Sequence, residues 1–262
     1  MNLGGLELSI LIPAFLAGLL VLATHVPLGQ QVLDRGIVFI DLAIAQVAGL
    51  GVTAADAFGF APEGWRVQVA AVAAALVGAL LLTWTERKWP EVQEALIGVL
   101  FVVAACVELL ILANNPHGGE HLKDLLVGQI LWVTPGSLFP IALLYALLLA
   151  IWFTLRARIG QIGFYVLFAL IVTQSVQLVG VYLVFASLIV PALAAKRFAA
   201  PYRLAIGYAV GLFGYIMGLV ASAVFDLPTG AVIVVALLLV FVIAIAVSVA
   251  VPRNWVALST SR

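Results

Sequence analysis

The sequence predicts an all-α, polytopic integral membrane protein with about eight or nine transmembrane helices. Three observations predict it. Of 262 residues, 65% are hydrophobic and 9% are charged, against roughly 25% charged in a soluble domain. The apolar residues fall in uninterrupted stretches of the ~20 residues that a helix needs to cross the hydrocarbon core. The few basic residues gather at the junctions between those stretches.

The elements follow in chain order. Spans are expected at 8–33, 36–60, 66–85, 92–113, 137–155, 202–223 and 229–250. The apolar stretch 159–195 is too long for one upright helix, and Gly180 sits near its middle. It reads either as two short spans or as one long broken one. Lys and Arg favour the cytoplasmic side. Arg35, the pair Arg87 and Lys88, the pair Arg156 and Arg158, then Lys196, Arg197 and Arg203, and finally Arg253 and Arg262 mark successive junctions. If 159–195 crosses twice, all of these fall inside, with the N-terminus outside and the C-terminus inside. That favours nine crossings. Glu63, Arg66, the loop "NNPHGGEHLKD" and the turn "FDLPTG" then lie outside. The whole of 1–262 reads as a single transmembrane domain.

Composition also excludes functions. Lys and Arg total 12 and Asp and Glu total 12, and no basic run could track a phosphate backbone, so nucleic acid is not an expected partner. Cys106, the single cysteine, rules out an internal disulfide and reads as a packing residue. The N-terminus lacks a basic n-region, and no cleavable signal peptide is expected. HExxH, GxSxG and a phosphate-binding glycine loop are absent. The sequence therefore predicts no enzyme and no cofactor.

The informative residues are polar ones inside apolar spans, since a charge at mid-bilayer costs about 2.5–3.5 kcal/mol on insertion scales. In "FIDLAIAQVAGLG", Asp41 follows Arg35 by six residues, ~9 Å into the helix. It is either a helix N-terminal acid favoured by the dipole or a functional group. Gln46 is deeper and shares a face with Leu42, Gly49 and Thr53. It is either interhelical glue or part of a path. Asp41 and Gln46 lie ~140° apart around the helix and would not hold one ion together. Glu108, nearer the outer end of its span, and the pair Gln174 and Gln177 on one face complete the polar seam. Gly49, Gly51 and Gly180 permit close helix approach, and Pro191 interrupts hydrogen bonding near the inner end of its span. In "HGGEH", His117, Glu120 and His121 offer imidazole and carboxylate to a zinc-like ion, or form a solvated loop.

Four segments resemble the membrane permease subunit of bacterial zinc/manganese ABC importers. "QLVGVYLVFASLIVPALAAKRF" is similar to that family's Val-Gly block with its Pro-Ala-x-x-Ala-x-Arg ending. "GLVASAVFDLPTGAVIVVALLLVFV" is similar to its Asp-x-Pro-x-Gly turn between the last two helices. "EALIGVLF" with "LVGQILWVTPGSL" resembles the middle of the family chain. "PLGQQVLDRGIVFIDLAIAQVAGLGV" resembles the first helix pair in length and register. The resemblance implies a bacterial inner-membrane, multi-pass homodimer. Its partners would be membrane lipid, an ABC ATPase subunit, a periplasmic binding protein and a divalent metal ion (zinc, manganese or iron).

Two departures qualify what the resemblance implies. The family reads Gly-Asp-Ala-Leu-Ser-His-Ala in the second helix, where Asp and His line the metal path. Aligned without gaps, its His falls on Gln46, its Asp on Leu42 and its Gly on Asp41. Oxygen donors replace imidazole here, which leans toward harder ions such as manganese. The family also carries an ATPase-coupling helix after its middle helix, where this chain has only "RARIGQIG". An ATPase contact would then fall to surfaces carrying Arg156, Arg158, Lys196 and Arg197. The alternative is a family-derived membrane protein uncoupled from an ATPase, acting as a passive carrier or as an assembly or sensing subunit.

Overall fold

The computed structural model describes residues 8–60, 64–113, 119, 123 and 126–250, apart from the side chains of 156, 157, 159, 249 and 250. All long elements among these are helices: α1 Leu8–Arg35, α2 Ile40–Ala57, α3 Trp65–Lys88, α4 Gln93–Leu112, α5 Pro135–Leu155, α6 Gly160–Val179, α7 Val181–Lys196, α8 Arg203–Phe225 and α9 Thr229–Ala250. In lipid each backbone N–H and C=O must be satisfied within its own segment, which leaves the helix as the local solution for apolar runs of this length. Eight of the described helices are long and apolar enough to cross a membrane. The ninth, α7, has 16 residues and is ~24 Å long. The break expected within 159–195 falls at Gly180, which has φ +81°.

Contacts group the chain into two compact units. One holds Met1–Arg35, Gln129–Pro140 and Tyr182–Arg262; the other holds Gly36–Gly128 and Ile141–Val181. In the first unit α8 runs antiparallel to α1 and to α9, and glycine on α8 allows the contact. Gly211 meets Leu22, Gly207 meets Val26, Gly214 meets Leu237 and Gly218 meets Ile233. Pro27 lacks the N–H that would bond the carbonyl of Ala23. The Tyr208 hydroxyl donates to that carbonyl instead, at 3.1 Å. Tyr215 is fully buried and its hydroxyl pairs with Ser187 of α7 at 2.9 Å.

In the second unit α2 packs antiparallel to α3, with Gly51 against Ala70 and Ala74 and Gly78 against Val47 and Ile44. α4 runs parallel to α2. Buried Gln93, at the start of α4, accepts from Thr85 Oγ1 at 2.9 Å and donates to the Leu82 carbonyl at 3.0 Å and to Tyr165 Oη at 3.4 Å. It ties α3, α4 and α6 together at one end. Aromatic belts mark both ends of α3. Lys88 lies 4.8 Å from the Trp89 ring and 5.3 Å from Trp84, and Arg66 lies 5.5 Å from Phe60 and 5.7 Å from Trp65. Such amphipathic rings and cations sit at the headgroup level.

α5 and α6 form a tight antiparallel hairpin. The Tyr145 hydroxyl pairs with Ser175 at 2.5 Å, and the ring of Trp152 lies 5.8 Å from that of Phe164. These pairings converge on Gly160, whose φ of 61° and ψ of −165° are the one non-helical conformation between Pro135 and Val179. An L side chain rarely takes that conformation, so glycine makes the reversal. The short connection expected at "RARIGQIG" is thus shorter still: the helical conformation runs through it on both sides of one residue.

Candidate functional site

The second unit carries a buried carboxylate with a built environment. Glu108 lies one turn from the end of α4 and is 0% exposed. Gln46 Nε2 donates to Glu108 Oε2, and Thr53 Oγ1 donates to Glu108 Oε1 at 2.7 Å. Gln46 and Thr53 are seven residues apart on α2, two turns along one face, so a single helix delivers both donors. Both are also buried. A carboxylate with a donor on each oxygen tolerates burial far better than a bare one.

Beside this triad lies a void of about 10 Å³, lined by Ala45, Gln46, Gly49, Glu108, Leu126, Val176 and Val181. That is at the lower limit for one water molecule. Its polar lining is the Gln46 carboxamide and the Glu108 carboxylate. Among the described residues no group of three or more His, Cys, Asp or Glu side chains could enclose a metal ion.

The expected site residues divide accordingly. Gln46 and Glu108 meet, across 62 residues of sequence. Asp41 does not join them. It is buried in the first turn of α2, where its carboxylate lies over the amides of Asp41 and Leu42 without a hydrogen bond of good geometry. Next to it, Glu94 accepts from the Phe39 amide at 3.2 Å. Two acids at a helix N-terminus fit the favourable end of its dipole. Gln174 is half-buried and Gln177 exposed, and neither lines the void. His117, Glu120 and His121 lie outside the described residues, as does the Arg156 side chain. Arg158, Lys196 and Arg197 are exposed. Lys196 also lines a groove with Gln30, Leu33, Asp34, Ala192 and Arg203.

Sequence reading missed His25. It is fully buried in the middle of α1. Its Nδ1 lies 2.9 Å from the Val21 carbonyl and 3.0 Å from Thr24 Oγ1. A carbonyl only accepts, so Nδ1 carries a proton, and Nε2 has no hydrogen-bond partner. The signal was available: a lone His in an apolar span is costly enough to need a reason.

An all-helical, multi-pass membrane protein with a buried carboxylate beside a small void is the class that the fold and this geometry define. The sequence relationships narrow that class. The chain belongs to the ABC 3 transport family, which it matches over residues 7–159 and 150–248. It is 27% identical to an uncharacterized membrane protein of Synechocystis sp., over 84% of each chain. It is 24% identical to the high-affinity zinc uptake system membrane protein ZnuB of Haemophilus influenzae, over 87% of this chain and 93% of that one. It is also 24% identical to a probable metal transport system membrane protein of Chlamydia trachomatis, over 63% of this chain and 64% of that one. The fold is shared with the structure of PsaBC from Streptococcus pneumoniae in complex with Fab, at a TM-score of 0.69, with 21% identity and 90% of each chain covered.

Proposed function

We propose that the protein is the membrane-spanning subunit of a divalent metal ion transporter, and that the ion passes the Gln46–Thr53–Glu108 triad. The observation that carries this is Glu108: a carboxylate at 0% exposure, held by donors on another helix, beside a void inside membrane-spanning helices. An intramembrane acid facing a cavity is the usual mark of a cation path. Membership of a transport family, and relatives named for zinc and metal transport, support the same reading. The donors are oxygens, which favour harder ions of the manganese type over zinc. Such ions take six or more ligands and keep part of their water, so the void must widen to admit one.

Replacing the carboxamide tests the assignment. Gln46→His sets an imidazole beside a carboxylate, a zinc-type pair. We expect the ratio of Zn2+ to Mn2+ affinity to rise about tenfold, ~1.4 kcal/mol, measured by calorimetry on the purified protein. An unchanged ratio in a folded variant removes Gln46 from the ion path.

One observation favours a second reading, a family member without ATPase coupling. The α5–α6 hairpin reverses at Gly160 alone and leaves no segment for a coupling helix between its arms. The family match itself divides there, in two pieces overlapping at residues 150–159. Reconstitution with a genomically adjacent ABC ATPase separates the two. A coupled permease would co-purify with the ATPase and stimulate its ATP hydrolysis, using surfaces such as that around Lys196 and Arg203. Neither association nor stimulation, with the protein folded, would establish the uncoupled reading.

A further inference from the structure

Two breaks in regular structure meet backbone to backbone next to the void. One follows Leu126 and Val127 at Gly128, with φ +72°; the other is Gly180, between α6 and α7, with φ +81°. A Cβ on Gly180 would stand 2.6 Å from the Val127 carbonyl carbon and 2.7 Å from the Gly128 Cα. A Cβ on Gly128 would run into the carbonyl of Val179. Neither residue could be anything but glycine here, for two independent reasons: the positive φ and the absence of space. Leu126 and Val181, beside these breaks, and Val176, one turn before Gly180, line the void together with Gln46 and Glu108.

Irregular backbone within a membrane protein is tolerated where it is buried in protein or lines a cavity. Here Gly180 is buried and Gly128 half-buried, and their neighbours Leu126 and Val181 line the void. Breaks also concentrate motion, because a residue between two helices can change φ and ψ without breaking a ladder of hydrogen bonds. The rest of the wall consists of residues inside continuous helices: Ala45, Gln46 and Gly49 on α2 and Glu108 on α4. Widening the void on that side would strip Glu108 of its donors. Widening it at the breaks would separate the two glycines and leave the donors to Glu108 in place.

We propose that the Gly128–Gly180 contact is the port of the ion site, the place where its wall parts to let an ion and its water reach Glu108. Gly128 and Gly180 are then positioning residues that hold the closed state by close backbone contact. The proposal rests on the reading of the void as an ion site, but its test needs no ion. Cys106 is replaced by serine, and Ala45→Cys places one reporter thiol on the void. The reporter is titrated with a small water-soluble methanethiosulfonate, and its labelling is followed by peptide mass spectrometry.

Gly180→Ala forces the two breaks apart and is expected to raise the labelling rate tenfold or more. Gly98→Ala, where an added Cβ meets nothing within 4 Å, should leave the rate unchanged. In a second arm, Leu126→Cys and Val181→Cys are joined by a disulfide or a short cleavable thiol linker. This should slow reporter labelling at least tenfold, and reducing the crosslink, with the reductant removed before the reagent is added, should restore it. The second arm decides the matter if Gly180→Ala does not fold. A rate that the crosslink leaves unchanged, or that is the same in folded Gly180→Ala protein as in its parent, overturns the port. Protection of the same thiol by Mn2+ tests the ion reading separately, so either idea can fail while the other stands.

Discussion

Glu108→Gln should lower Mn2+ affinity about a hundredfold while the protein stays folded. The substitution keeps the shape of the side chain and removes its charge. A hundredfold loss is ~2.7 kcal/mol, within the range measured when one member of a buried, hydrogen-bonded charge pair is removed. The fold should survive because the network can rearrange. The Thr53 hydroxyl can turn to accept, and the Gln46 carboxamide can present its oxygen. Glu108→Leu is the contrasting variant. It leaves Gln46 and Thr53, both buried, without their shared acceptor, at about 1–3 kcal/mol for each orphaned group. Binding should weaken at least that much in both variants, whereas thermal stability should drop only with leucine. If Glu108→Gln binds Mn2+ like the parent, the triad is interhelical glue and the ion path lies elsewhere.

Gly29→Val should unfold the first unit or prevent its assembly. Gly29 faces α7, and a Cβ there would stand 2.0 Å from the carbonyl oxygen of Leu188, with the carbonyl carbon 3.0 Å away and the Ala192 Cβ 3.1 Å away. The obstacle is backbone, so no rotamer change relieves it. The helices would have to separate, losing the close contact of Gly29 with Leu188 and Ala192. Overpacking typically costs about 1–3 kcal/mol, and valine against a main-chain oxygen belongs at or beyond the top of that range. Thermal unfolding of purified protein and its yield in membranes measure the effect. Gly36→Ala is an informative companion: Gly36 has φ +71° but nothing within 4 Å of its added Cβ, so backbone strain alone applies and the loss should be nearer 1 kcal/mol. Equal stability of Gly29→Val and the parent would mean that α1 and α7 do not pack as described.

Much of the fold was legible. The stretch 229–250 matches α9, and the spans expected at 8–33, 66–85 and 92–113 each fall within three residues of α1, α3 and α4. Apolar run length is a one-dimensional property and lipid enforces it directly. Gly180 could be read as a break because it interrupts a run too long to cross once. The site was half legible. Gln46 and Glu108 each stood out as polar residues in apolar spans, but they were weighed apart. That Thr53 shares a face with Gln46 followed from helical period; that Glu108 completes the set did not. Which faces of α2 and α4 turn toward each other depends on where Gly51 and Gly78 let α3 approach. Gln174 and Gln177 show the converse. Three residues apart on one helix they share a face, yet α6 turns Val176 to the void and leaves Gln177 exposed.

By itself, the sequence determined that this is a multi-pass helical membrane protein, where its helices run and which polar residues need a reason. The physical cause is local: a segment in hydrocarbon must satisfy its own backbone and carry apolar side chains, whatever its neighbours do. Only the tertiary structure decided that Gln46, Thr53 and Glu108 form one network and that Gly128 and Gly180 touch. It also decided that Asp41 stays at its helix end, and that α5 reverses into α6 at a single glycine. Those outcomes depend on how helices rotate about their axes and how closely they pack. Rotation and packing are set by contacts between residues far apart in the chain, and no period or run length in the sequence encodes them.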